Sequence, residues 1–209
     1  MPAPTSTADG GTSPPVPATP PALMPRSGLA PSGARSWRTL FRDVVVNDLA
    51  GWQPMHVRWR VALLRRGGIT VGDRAIISSR CFWSGADITI GDDAFVNVGC
   101  FVDNSAPVRI GDRVALGPGV TLLTGSHEIG PLGGGRRSGR AGVNEVAPVV
   151  IEDDCWIGAR STVMPGVRVA RGCVVGAGSL VTRSTEPHGV YVGIPARRVR
   201  DLPPQGPVS

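Results

Sequence analysis

The stretch Pro148–Arg183, PVVIEDDCWIGARSTVMPGVRVARGCVVGAGSLVTR, decides the fold. Taken in steps of six from Ile151, it presents Ile151, Ile157, Val163, Val169, Val175 and Val181, every one Ile or Val. Two residues before each stand Val149, Cys155, Ser161, Val167, Cys173 and Ser179, all small or β-branched. A helix repeats near 3.6 and a simple half-buried strand repeats at 2. A period of six sustained over this run fits neither. It fits a β-helix, in which each hexad is a short strand plus a corner and stacked coils bury continuous aliphatic columns.

The same phase continues upstream. Ile110, Leu116 and Leu122 form one set, Ile90, Val96 and Val102 a second, and Val71, Ile77 and Trp83 a third. Three hexads make a triangular coil of about eighteen residues, so about five coils are expected over residues 69–200. The sets join with slips of one residue before Ile90 and two before Ile110, which corners absorb. A small sandwich of short strands would not demand a period of six. The expected class is therefore all-β, a β-helix interrupted by a Gly- and Arg-rich loop, 128–147.

Residues 1–35 are rich in Pro, Ala, Ser, Thr and Gly with few large apolar side chains. Such a segment buries too little surface to offset chain entropy, so a disordered tail is expected. It lacks the basic start and apolar run of a secretory leader, and no stretch has the length and apolarity of a membrane span. Residues 36–68 differ. Trp37, Leu40, Phe41, Val44, Val45, Leu49 and Trp52 suggest one amphipathic helix, broken by Pro54. Val57, Val61, Ala62, Leu63 and Leu64, interleaved with Arg58, Arg60, Arg65 and Arg66, suggest another, ended by Gly67 and Gly68. A helical cap over the open end of the β-helix is the favoured reading, with a basic aromatic membrane surface as the alternative. Residues 201–209 read as a C-terminal tail.

All 22 basic residues are arginine, and the formal net charge is +6. That favours an anionic partner, yet no basic run with interleaved aromatics argues for nucleic acid. Cys81, Cys100, Cys155 and Cys173 each sit two residues before a hexad apolar position, where a small inward side chain is wanted. They read as core residues and, in a reducing cytoplasm, as free thiols; no CxxC metal pattern exists.

The hexapeptide run, with CWIGARSTVMPGVRV and GCVVGAGSLVTR, resembles the hexapeptide-repeat acyltransferases, in particular the maltose, galactoside and nodulation-factor O-acetyltransferases. FVNVGCFVDN, LLTGSHE and VGIPARRVR are similar to that family's active-site and coenzyme A segments. The resemblance covers about residues 69–200. It implies a left-handed parallel β-helix, a hand that period alone does not show, and a homotrimer with active sites between subunits. It also implies acetyl-CoA or another acyl-CoA as donor, a hydroxylated sugar-like acceptor and no metal.

His127 matches the family's catalytic histidine. A neutral imidazole can take the proton of a hydroxyl as it attacks a thioester, at a pKa close to working pH. Glu128 stands where many relatives have Pro, and Glu128 or Glu145 is a candidate to orient the ring. His56 and His188 read as surface. Asn97 matches a residue that contacts the acceptor or the developing oxyanion, a task suited to an amide N–H; a corner asparagine is the plainer alternative. Asp103 and Asn104 occupy the segment that holds sugar hydroxyls in relatives. Trp83 stands where galactoside enzymes have Ser, as part of an apolar acceptor pocket or as a core plug. On the donor side, Trp156 matches a residue flanking pantetheine, or is an interface aromatic. Ala159, Ala177 and Gly178 match the channel beside it, and Thr182, Arg183, Arg197 and Arg200 match positions that meet adenosine and its phosphates, where guanidinium binds bidentately. Solvated charge is the plainer reading of these arginines. An N-acyltransferase on an amino sugar and a non-catalytic β-helix scaffold are the alternative functions.

Overall fold

The computed structural model describes residues 24–25, 36–126 and 145–203. The chain from Thr70 winds into a three-faced prism of parallel strands. One face stacks Thr70–Val71, Ile88–Ile90, Val108–Ile110, Val149–Ile151 and Arg168–Val169. The second stacks Ile76–Ile77, Phe95–Val96, Ala115–Leu116, Trp156–Ile157, Val174–Val175 and Gly189–Gly193. The third stacks Phe82–Trp83, Phe101–Val102, Thr121–Leu122, Thr162–Val163 and Leu180–Val181. Two faces are five strands deep, which matches the coil number read from the period.

Register turns the period of six into three buried columns. Val71, Ile90, Ile110, Ile151 and Val169 pair in sequence along the first face. Ile77, Val96, Leu116, Ile157, Val175 and Tyr191 do so on the second. Trp83, Val102, Leu122, Val163 and Val181 complete the third. All are buried, and burial of such aliphatic groups stabilises by about 1.5–3 kcal/mol each. The four cysteines are buried free thiols in the supporting columns. Burial pushes the Cys155 thiol up to about 12, which keeps it protonated.

Trp83 is 1 % exposed in this core. Its side chain is therefore the plug of the first coil, and the alternative assignment to an acceptor pocket is corrected: inward and outward positions alternate, and Trp83 falls on the inward phase. Asn47 holds its backbone, donating Nδ2–H to the Trp83 carbonyl and accepting from the Trp83 N–H at 2.8 Å.

The ends are closed differently. At the N-terminal end lie α1 (Trp37–Asp43), a π-helical turn (Val44–Leu49) and α2 (Val57–Arg66). Ser36 caps α1 and His56 caps α2 through side-chain acceptors. Val46, Ala50 and Leu64 seat the pair on the first coil. The apolar side chains that suggest an amphipathic first helix do not all serve that contact: Trp37, Leu40, Phe41 and Val44 are exposed. At the other end, Gly189–Gly193 and Ala196–Asp201 form an antiparallel hairpin. Outside the prism, Met24–Pro25 pairs with Glu145–Val146, which pairs with Gly125–Ser126.

Arg60 joins cap to coil. It is 5 % exposed, and its guanidinium donates to the carbonyls of Ala50, Ile77, Trp52 and Met55 at 2.7–3.0 Å. Desolvation holds its pKa below the ordinary arginine value. Four carbonyls from both sides of the seam converge on one cation, and Arg60→Met removes that shared donor, leaving only the Trp52 carbonyl with another among the described residues, the Met55 N–H at 3.2 Å. Loss of such a buried charged network costs about 3–5 kcal/mol. Arg60→Met is expected to lower the denaturation midpoint accordingly in urea unfolding; a midpoint equal to that of the unsubstituted protein would show that the cap does not depend on this contact.

Candidate active site

His127 and Glu128 lie outside the described residues, but the segment that delivers them does not. Asp103 is its anchor. One carboxylate oxygen accepts from the N–H of Thr124 at 3.1 Å and of Gly125 at 2.9 Å, and lies 3.1 Å from the Thr124 hydroxyl. The other accepts from the hydroxyls of Ser84 at 3.3 Å and Ser105 at 3.1 Å. Gly125–Ser126 then pairs with Glu145–Val146, so the stem held by this carboxylate carries the other stem of the loop by strand pairing. Sequence reasoning missed Thr124 and Ser84. The signal for Thr124 is a polar residue at a fully buried corner position, which demands partners.

Asn104 is committed elsewhere. Its Oδ1 accepts from Asp87 N–H at 2.9 Å, and its Nδ2 donates to the carbonyls of Asp87 and Ala106. The side-chain amide closes its own corner, and both of its ends are occupied. Asn97 is different. Its Oδ1 accepts from Val98 N–H at 2.8 Å, while its Nδ2 has no partner among the described residues. The half-buried amide therefore presents two N–H donors outward.

Asn97 heads a column of corners in which the next coils carry Gly117, Gly158 and Gly176. A Cβ at Gly117 would meet Ala159 N at 2.6 Å, and one at Gly158 would meet Ala177 N at 2.5 Å. Glycine is thus demanded by close coil stacking. The consequence is a corner strip free of side chains, bordered by Ala159, Ala177 and Gly178. A Cβ at Gly178 would meet nothing within 4 Å. Trp156 stands beside this strip on the outer side of the second face, 56 % exposed. Gly193 N–H donates to Ser179 Oγ at 3.1 Å, which ties the hairpin tip to the same corner, and Arg197 pairs with Val192 there. Arg200 lies opposite Val190, farther along.

Not every candidate converges within one chain. Asn97 follows a second-face strand, whereas Asp103 and the stem leading to His127 follow third-face strands. Thr182 and Arg183 likewise sit at the far edge of the third face, exposed, away from Arg197. The outer surfaces are also unequal. The second face displays Ile76, Phe95, Ala115, Trp156, Val174 and Val190 in one ladder. The third displays Phe82 stacked on Phe101, centroids 5.1 Å apart. The first displays Thr70, Thr89, Arg109, Val150 and Arg168.

Residues 87–124 and 148–183 match the family described as the hexapeptide repeat of succinyl-transferase. The galactoside O-acetyltransferase of Escherichia coli is 31 % identical over 150 residues, 71 % of either chain. A Schizosaccharomyces pombe relative is 38 % identical over 103 residues, so the matched part spans about half of that protein, 47 %. The crystal structure of a hexapeptide-repeat-containing acetyltransferase from Vibrio cholerae superposes with a TM-score of 0.70 at 31 % identity, covering 81 % of this chain and 95 % of the other. That protein is also known in complex with acetyl coenzyme A. The chain belongs to the hexapeptide-repeat acetyltransferases, in the group that contains the galactoside and maltose O-acetyltransferases.

The Asp103 anchor is testable without substrate. A charge-assisted hydrogen bond contributes about 1.5–3 kcal/mol. Asp103→Asn is expected to speed amide exchange at Thr124 and Gly125 by roughly ten- to a hundredfold, at about 1.4 kcal/mol per decade, and to leave the core columns protected. Unchanged exchange at both amides would remove Asp103 from the role of anchor.

Proposed function

We propose that this protein is an O-acyltransferase, most simply an O-acetyltransferase, that moves an acyl group from acyl-CoA to a hydroxyl of a sugar, polysaccharide or glycosylated metabolite. The reading is supported by two features together, an Asn97 Nδ2 free to donate and an Asp103-anchored stem that precedes His127 in the chain. His127 takes the proton of the acceptor hydroxyl as its oxygen attacks the thioester carbonyl. Asn97 donates to the oxyanion that develops there or to the acceptor. Coenzyme A leaves as the thiol, and Glu128 is a candidate for orienting the base or the acceptor. Asp103 acts by positioning, and Asn104, whose amide is committed to its own corner, helps shape the acceptor edge.

On the donor side, pantetheine lies along the strip bordered by Ala159, Ala177 and Gly178 with Trp156 against it. Thr182, Arg183, Arg197 and Arg200 meet the adenosine and phosphates. Arg183 and Arg197 sit at different corners of one prism, and so do Asn97 and the His127 stem. A homotrimer accounts for both separations, because a corner of one subunit then faces a corner of the next. The apolar outer ladder on the second face and the Phe82–Phe101 stack on the third favour the same arrangement. The use of acyl-CoA and the four free thiols support a cytoplasmic site of action.

Two measurements test this. Light scattering is expected to give a particle of about three chains; a monomer at micromolar concentration would count against the shared site. In a kinetic series on a panel of saccharide acceptors, His127→Ala is expected to lower kcat by about a hundredfold or more, the usual contribution of a general base. Arg183→Ala, Arg197→Ala and Arg200→Ala are expected to raise the donor KM by roughly ten- to a hundredfold and leave kcat alone, because contacts to remote phosphates are equal in ground and transition states. Near-normal turnover in His127→Ala would sink the base assignment. Lower kcat with unchanged donor KM in all three arginine variants would sink the donor assignment. Transfer only to amino sugars would replace O-transfer by N-transfer.

A further inference from the structure

The inner side of the N-terminal cap is accounted for by its seat on the first coil; its outer side is not. Trp37, Leu40, Phe41 and Val44 follow the i, i+3, i+4, i+7 spacing of a single helical stripe. Their exposures are 75, 57, 66 and 41 %. On α2, Trp59 is 70 % exposed, and Arg66, two turns on, shares its side of the helix. Large exposed apolar patches of this kind mark interaction surfaces.

Charge identifies the occupant. Residues 36–68 hold six arginines, at 38, 42, 58, 60, 65 and 66, against two aspartates, Asp43 and Asp48. Arg42 pairs with Asp43 at 2.8 Å, and Arg60 is buried on carbonyls. Arg65 spans back to the first coil, donating to the Val71 carbonyl and lying 3.6 Å from Asp73. That leaves Arg38, Arg58 and Arg66 exposed with no carboxylate partner among the described residues. A second copy of the same patch would set these cations against one another. An anionic bilayer surface satisfies both halves of the patch, with Trp, Phe and Leu entering the headgroup region and arginine meeting phosphate.

We propose that the cap end of the prism is a docking face for an anionic lipid surface, with Trp37, Leu40, Phe41 and Trp59 as the apolar anchors and Arg38, Arg58 and Arg66 as the headgroup contacts. The association is peripheral: among the described residues, no helix is long and apolar enough to cross a membrane. It does not depend on the acyl-transfer reading, and its test does not use turnover.

The full-length chain is sedimented with phosphatidylcholine vesicles containing about 30 % phosphatidylglycerol, and with phosphatidylcholine alone, at about 0.1 M and about 0.5 M salt. The expected result is binding to the anionic vesicles that weakens about tenfold or more on neutral lipid and at high salt. The variant Trp37→Ser/Phe41→Ser is expected to lose about tenfold or more in partitioning. Arg38→Ala/Arg58→Ala/Arg66→Ala is expected to abolish the salt dependence. Both variants alter exposed side chains, and their thermal midpoints and oligomeric state are measured alongside. Absence of binding to the anionic vesicles overturns the proposal, as does equal binding by Trp37→Ser/Phe41→Ser. A change of oligomeric state in that variant with no vesicle binding in the unsubstituted chain assigns the stripe to a contact between subunits.

Discussion

Every coil of this protein depends on its neighbours for backbone hydrogen bonds. Strand N–H groups point along the prism axis to the carbonyls of the next turn, as from Ile76 to Ala94, from Phe95 to Val114, from Ala115 to Cys155 and from Trp156 to Cys173. A two-residue strand has little stability alone, because ordering its backbone costs more than its few bonds return. The ladder therefore works only if successive turns stay in register. Any shift by one residue would turn an inward Ile or Val to the solvent side. The strict period of six is the sequence expression of that constraint.

The same constraint directs variation to the corners. A face tolerates no insertion, but a corner lies outside the ladder and can lengthen without shifting the strands that flank it. The largest departure follows Ser126, and Ala147 closes it by donating to the Thr124 carbonyl at 2.9 Å. Asp103 then holds the opposite side of that base through Thr124 and Gly125. A long loop can thus be carried by the solenoid without disturbing it, because one stem is held by a fixed carboxylate and the other is paired to the first.

Legibility followed from which side of the strand a residue serves. All inward positions named from the period, from Val71 to Val181, are buried, because inward burial is what the period encodes. The four cysteines were legible for the same reason. Asn104 was not: whether an amide at a corner serves a ligand or its own turn depends on contacts to Asp87 and Ala106, seventeen and two positions away. Trp83 was ambiguous because bulk is compatible with a pocket or a plug, and only its phase within the hexad separates them. Arg60 read as helix-face charge, since a sequence does not display four carbonyls drawn from a turn and a neighbouring coil. The α1 stripe read as a core face because helical periodicity reports that one side is apolar and not what that side meets.

Because the inward columns are nearly invariant in chemistry, the outward columns are where this prism acquires distinct sides. Adjacent strand residues point in opposite directions, so each buried Val or Ile is preceded by a residue free to differ. Before Ile157 stands Trp156, before Val96 stands Phe95, before Ile110 stands Arg109, and before Val169 stands Arg168. Thr70, Thr89, Arg109 and Arg168 make the first face polar; it pairs readily with water and with its own carboxylates, as Arg109 does with Asp87 at 2.8 Å. The second face carries aromatic and aliphatic groups instead, the third sets Phe82, Phe101 and Leu180 beside Thr121 and Thr162, and the two flank the corner that bears Asn97 and the glycine strip. The three sides of the solenoid thus differ in polarity, from the wet first face through the mixed third to the apolar second. Among the described residues, the side-chain-free strip and the Asn97 amide N–H donors coincide at the corner between the second and third faces.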